Sequence, residues 1–193
     1  MDTQTRITPE EAQEALDLVA ETTRQMRRAL AHGGMPYFLL IWGFVWLLGF
    51  GSSHFFGAGS STAGLIWAVL DVGGAVASFA VGAHLGKKIR SPQGKRIGLY
   101  WLALLFYGAL LIYFAHPQTS NQGALLISLL AMMGYVTSGL LYDSRFLTGL
   151  GLAVTVLILV GYLAVPTVFN LWMALWGGGS LIAAGVYILR KWR

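Results

Sequence analysis

The chain has 193 residues, of which 56% are hydrophobic and 11% charged, with a formal net charge of +5; a soluble domain carries roughly 25% charged residues. That balance excludes a soluble globular fold. Intrinsic disorder is excluded too, because the chain has Trp 7, Tyr 8 and Phe 10 to bury, and zero cysteines remove disulfide frameworks, thiolate metal sites and cysteine nucleophiles.

The composition predicts an all-α, polytopic membrane protein in two parts: a cytosolic amphipathic helix within residues 1–34 and a six-helix transmembrane domain over 35–193. The first element in chain order is a helix over 8–31. Thr8 is its cap, Pro9 takes the first helical position, and Glu11 completes a Thr-x-x-Glu capping box. Glu10, Glu11, Glu14, Asp17 and Glu21 come first and Arg24, Arg27 and Arg28 last, the order that the helix dipole favours. Ala12, Ala15, Leu16, Val19, Met26 and Leu30 recur at three- and four-residue steps and form one apolar face. Three destinations compete for that face: anionic lipid, the protein's own loops or a second copy, and another protein. Leu16, Val19, Met26 and Leu30 are the candidate partner-binding residues. No apolar run follows the basic start, so no cleavable signal peptide is expected.

Six long uncharged runs follow, each near the 20 or so residues that a hydrocarbon core of about 30 Å demands. They cover about 36–52, 62–86, 97–115, 122–142, 146–164 and 168–189, and every proline falls outside a span interior. A transmembrane barrel would show short alternating segments instead. All 13 Lys and Arg residues lie before span 1, between spans 2 and 3, between 4 and 5, or after 6, while the loops around 53–61, 116–121 and 165–167 hold none. The positive-inside rule then places both termini in the cytoplasm of a plasma (inner) membrane. The net charge follows from topology, and no nucleic-acid partner is expected.

The spans pair as three helical hairpins, 1–2, 3–4 and 5–6, whose return helices are rich in small residues. The helix-packing candidates are Gly73, Gly74 and Gly82 in span 2, Gly134 and Gly139 in span 4, and Gly177, Gly178, Gly179 and Gly185 in span 6. Trp67, Leu70, Gly73 and Gly74 match Trp172, Leu175, Gly178 and Gly179 in register. The expected arrangement turns spans 2, 4 and 6 inward and 1, 3 and 5 toward lipid. Six short spans, basic inner loops and an Asp followed by Gly in Leu70-Asp71-Val72-Gly73 resemble the HdeD family of small bacterial inner-membrane proteins. That resemblance covers roughly 36–193 and implies an acid-resistance role without a catalytic site. The Trp-Pro outer turns of that family reduce here to His116-Pro117 and Val165-Pro166, and the N-terminal helix is extra.

Asp71 is the only charged residue deep in a span, and no intramembrane Lys or Arg exists to pair with it. A charge at that depth is costly unless paired, hydrated or neutralised, so Asp71 heads the candidate ligand or proton site, with Trp67, Tyr107, Tyr135 and Trp176 around it. Hydroxyls of Tyr107, Tyr135, Thr137 or Ser128 are its expected partners. Two readings stay open, a proton or cation relay and an interhelical hydrogen-bonding carboxyl. No two histidines have helical metal spacing, and no nucleophile with an oriented base or phosphate-cradling loop is present, so neither metal, cofactor nor enzyme activity is expected. Asn170 is expected to cap span 6. The sequence thus points to a non-enzymatic membrane protein with an accessory, stress-protective or partner-binding role, its helix 8–31 docking a protein partner or a second copy. The alternative is a small-solute transporter or substrate-binding subunit built around Asp71.

Overall fold

The computed structural model describes residues 8–32, 34–88 and 92–191. α1 spans Pro9–His32, α2 Met35–Phe56, α3 Ser61–Lys88, α4 Pro92–Ala115, α5 Ser120–Leu141 and α6 Arg145–Ala164. A 3-10 turn at Pro166–Val168 leads into α7, Phe169–Trp172, a π-helical stretch, Met173–Gly178, and α8, Gly179–Lys191. Among the described residues every regular element is helical. Six helices are long and apolar enough to cross a bilayer, from Met35–Phe56 to Pro166–Lys191, and the chain is a multi-pass helical membrane protein.

Local chemistry sets the helix ends. Gly34 adopts φ 90 before α2, and Gly57 adopts φ 87 after it, a region that residues with a Cβ rarely enter. Thr119 and Gln122 form a reciprocal capping box at the start of α5, which satisfies two backbone donors otherwise left open. Ser144 caps α6. The tight turn before it holds Asp143 at φ 49, tolerable because Asp is among the few side chains that visit this region. Asn121 Nδ2 donates to the Pro166 carbonyl at 3.1 Å, and Gly59 sits beside Ser120. The loops after α2, α4 and α6 therefore gather at one end of the bundle, the distal end.

The helices pack in a row. α3 lies along α2; α2 packs on α8 and the π-helical stretch; that last segment meets α6; α6 packs closely on α5; and α4 lies along α5. The core is supplied by α2, α5, α6 and the α7–α8 segment, through residues such as Leu39, Met132, Ile158, Phe169, Met173 and Leu181. α3 is the least covered span and α4 the next. The inward placement expected for span 2 and the outward one for span 1 are therefore corrected: α2 is central and α3 peripheral. Both helices are predominantly apolar, and where lipid is as apolar as the core, composition does not say which helix lies inside.

Glycines decide how close the backbones come. Gly43 of α2 and Gly178 face each other, so that a Cβ on Gly178 would stand 2.6 Å from the Leu47 backbone nitrogen and 2.8 Å from the Gly43 carbonyl oxygen. The π-helical stretch widens the turn, and consecutive residues share this contact: Gly177 lies against the Trp46 ring as Gly178 lies against the α2 backbone. Gly74, Gly134, Gly139 and Gly185 also pack closely. Gly73, Gly82 and Gly179 do not, since a Cβ at each would meet nothing within 4 Å; they lie off the contact lines of their helices. Glycines of the other helices do comparable work. Gly49 packs on Trp67, Gly108 on Leu130, Gly151 on Val136 and Gly161 on Trp172.

Gly178→Ala pushes a methyl into backbone atoms and is expected to destabilise the bundle by about 1–3 kcal/mol. Gly179→Ala, one residue along and facing open space, is expected to be neutral or mildly stabilising. Denaturant unfolding of the two variants in mixed micelles checks the contrast.

Candidate functional site

The residues singled out around Asp71 come from three separate surroundings. Trp67 sits between α3 and α2: its indole Nε1 donates to Ser53 Oγ at 2.8 Å, and its ring meets Phe50 edge-on at 5.0 Å. Phe50 in turn meets Trp46 at 5.7 Å. Burying an indole within a membrane requires a partner for its N–H, and Ser53 supplies it. Tyr135 is buried on the far side of the row against Trp101 of α4, with ring centroids 5.4 Å apart. Trp176 is 52% exposed and Tyr107 63% exposed. The structure therefore does not bring Trp67, Tyr107, Tyr135 and Trp176 together around one carboxyl.

Asp71 itself is exposed on the outer flank of α3. Among the described residues its carboxylate makes no hydrogen bond or ion pair. The hydroxyls expected to serve it are engaged or enclosed elsewhere. Thr137 Oγ1 bonds Tyr100 and the Met133 carbonyl, and Ser128 is buried on α5. The reason is geometric. α3 turns Trp67, Leu70 and Gly74 toward α2, and Asp71 falls to one side of that line, on the exposed flank of the helix. His84 is exposed too, off the Asp71 face.

Two surface grooves accompany these residues. One, of about 280 Å³, lies at the distal end between His116, Pro117, Gln118 and Gln122. The other, of about 230 Å³, runs between α2 and α3 past Phe44, Leu48, Val69 and Gly73. Both are open, and neither includes Asp71. Among the described residues no group of three or more His, Asp or Glu side chains is placed to hold a metal ion.

Sequence reasoning missed one polar contact that the structure reveals. Asn170 Nδ2 donates to Asn121 Oδ1 at 3.1 Å, and Asn121 goes on to the Pro166 carbonyl. Asn170 is thus not a helix cap, as expected, but part of a chain of amides that ties α5 to the turn before α7. An Asn at the start of each of two spans was the available signal.

At the opposite end, α1 carries the second candidate surface. Leu16 and Val19 are each 63% exposed, and α1 touches the rest of the chain where it meets α2. The side chains of Met26 and Leu30 lie outside the described residues, as do those of the basic residues Lys87, Lys88, Arg90 and Lys95. The helix start is built as its sequence specifies: Glu11 Oε2 accepts from the Thr8 backbone N–H at 2.8 Å and from Thr8 Oγ1 at 3.0 Å, while Glu11 N–H donates to Thr8 Oγ1 at 3.2 Å.

No protein-family model matches the chain, and no curated protein or solved structure matches it either.

The two Thr8 donors hold the Glu11 carboxyl below its ordinary pKa. A carboxylate with a lowered folded-state pKa contributes stability that is whole above its unfolded value and disappears as pH falls through the folded one. The first turn of α1 is therefore expected to fray on acidification below about pH 4.3, the ordinary Glu value. Amide exchange of residues 11–13, taken relative to the intrinsic rate at each pH, should lose its protection through that range, and Glu11→Ala should remove the pH step while leaving the turn frayed throughout.

Proposed function

We propose that this chain is a non-catalytic plasma-membrane protein that acts by binding other protein chains, with both termini in the cytoplasm and α1 as its docking element. The observation that carries the reading is the apolar face of α1. A helix of 24 residues, about 36 Å long, keeps the Leu16 side chain 63% exposed, although the six spans behind it have a core of their own. Isolated helices are marginal in water and gain most of their stability from a packed face. α1 completes that face on a partner. The acidic first half, Glu10 to Glu21, argues against anionic lipid as what covers it.

Orientation in this reading rests on the placement of the 13 Lys and Arg residues away from the distal loops. The architecture is three helical hairpins. Each pairs a tryptophan of one helix with a glycine of its hairpin mate: Trp67 with Gly49, Trp101 with Gly134, and Trp172 with Gly161. The resemblance to the HdeD family agrees with a protective or accessory role and adds no catalytic residue. A carrier built around Asp71 is the reading that the geometry supports less well, since the aromatic residues meant to line its site lie apart and Asp71 faces outward.

The test is site-specific photo-cross-linking in intact membranes. A photoreactive residue at Leu16 or Val19 is expected to capture protein, either a second copy or another chain. With the photoreactive residue at Leu16, Val19→Lys should abolish the adduct, and with it at Val19, Leu16→Lys should, in both cases without altering the helical content of the spans. Capture of lipid alone overturns the proposal.

A further inference from the structure

The uncovered side of α3 divides into two strips of different character. Leu65, Val69, Val72 and Val76 form a face of large aliphatic side chains, each more than half exposed, which is what lipid tails accept. Beside it runs a second strip, Gly64, Ala68, Asp71, Ala75, Ser78 and Gly82, spaced alternately four and three residues apart. All six are exposed except the half-buried Ser78, and a Cβ added at Gly64 or Gly82 would meet nothing. A three-four spacing keeps one seam of a helix facing a neighbouring helix along its whole length, and small side chains let that neighbour come close. Asp71 sits in the middle of the seam with no partner among the described residues. A carboxyl is one of the costliest side chains to leave against lipid, so the seam requires a hydrogen-bond donor at the depth of Asp71.

This chain carries such a donor. Tyr107 is on α4, the other uncovered span, 63% exposed, and its hydroxyl makes no hydrogen bond among the described residues. Asp71 is ten residues from the distal end of α3, about 15 Å, and Tyr107 eight residues from the distal end of α4, about 12 Å. The two groups thus lie at nearly one depth. The exposed side of α4 is built of large residues, Leu110, Leu111 and Phe114 beside Tyr107, which suits a seam of small ones. Within one copy α3 packs along α2 and α4 along α5, at opposite ends of the row, rather than along each other.

We propose that two copies associate in the bilayer about a two-fold axis along its normal, α3 of each antiparallel to α4 of the other, with Tyr107 of one copy donating to Asp71 of the second. A second copy fits better than a foreign helix because one isologous interface serves both uncovered helices and both unbonded groups at once. The inference does not depend on the docking role of α1.

The absence of native cysteines makes the test direct. Full-length Ala75→Cys and Ala103→Cys chains bearing different tags, coexpressed and oxidised in membranes, are expected to form a mixed disulfide. Both positions lie one helical turn toward the basic end, from Asp71 and Tyr107 respectively. Val72→Cys, on the lipid-facing strip, should not cross-link to Ala103→Cys. Tyr107→Phe removes both symmetric hydrogen bonds and is expected to weaken dimerisation about tenfold in purified, bilayer-reconstituted protein; Asp71→Leu should weaken it at least as much while leaving the monomer folded. A monomer in purified bilayers, cross-linking only within a double-cysteine chain, or dimerisation unchanged in Tyr107→Phe and Asp71→Leu overturns the proposal. Deleting residues 8–31 is expected to leave the mixed disulfide intact, which separates failure here from failure of the α1 reading.

Discussion

Between lipid tails, the hydrophobic effect gives a helix little reason to turn one apolar face inward rather than another, and association then depends on how closely backbones can approach. The row of helices follows from that constraint. Its centre is the contact of Gly43 with Gly178, where α2 and the π-helical stretch meet backbone to backbone. Neighbouring pairs repeat the device, a glycine receiving a side chain at Gly49 from Trp67, at Gly108 from Leu130 and at Gly161 from Trp172, and the backbone of the facing helix at Gly139 and Gly151. The π-helical turns belong to the same logic, because they bring Gly177 and Gly178 together against α2.

Hydrogen bonding sets the second condition, and the spans meet it mostly within the distance of one turn or one hairpin. Ser52, Thr137 and Thr155 each bond a carbonyl of their own helix three or four residues back. The indoles of Trp67 and Trp172 donate across to the preceding span, to Ser53 Oγ and the Leu157 carbonyl at 2.8 Å each. The match in sequence between spans 2 and 6 therefore has a physical content: in both, the same tryptophan position packs on a glycine and bonds back across the turn. The glycines that follow have diverged. Gly178 lies against the backbone of α2, and a Cβ on its counterpart Gly73 would meet nothing within 4 Å.

The six spans and their ends were legible because charge, proline and helix caps are local signals: Thr8 with Glu11, Pro92 and Pro166 each begin or cap an element. The rotation of each helix about its axis was not legible. An amphipathic soluble helix advertises its buried face through polarity, but α3 is apolar on every side apart from Asp71, so nothing local tells which stripe meets α2. Small residues therefore lie both on contact lines, as at Gly74, Gly134 and Gly185, and off them, as at Gly73, Gly82 and Gly179. Gly43 and Gly161 make close contacts from leucine-rich helices, where composition gives no sign of a packed face. Asp71 illustrates both halves: its depth could be counted from the span boundaries, whereas its direction depended on a rotation that only packing determines.

That direction changes what an intramembrane carboxyl implies. Turned into a bundle, it would join hydroxyls or water and serve a relay or a ligand; turned outward, it costs free energy in proportion to the lipid it faces. α3 does not avoid that cost by rotating. The contacts of Trp67 with Ser53, Gly49 and Phe50 and of Gly74 with Val45 hold the helix in its observed phase. A well-packed α2–α3 interface thus fixes Asp71 on an open face. The same packing that completes the monomer leaves the Asp71 carboxyl without a hydrogen-bond donor among the described residues.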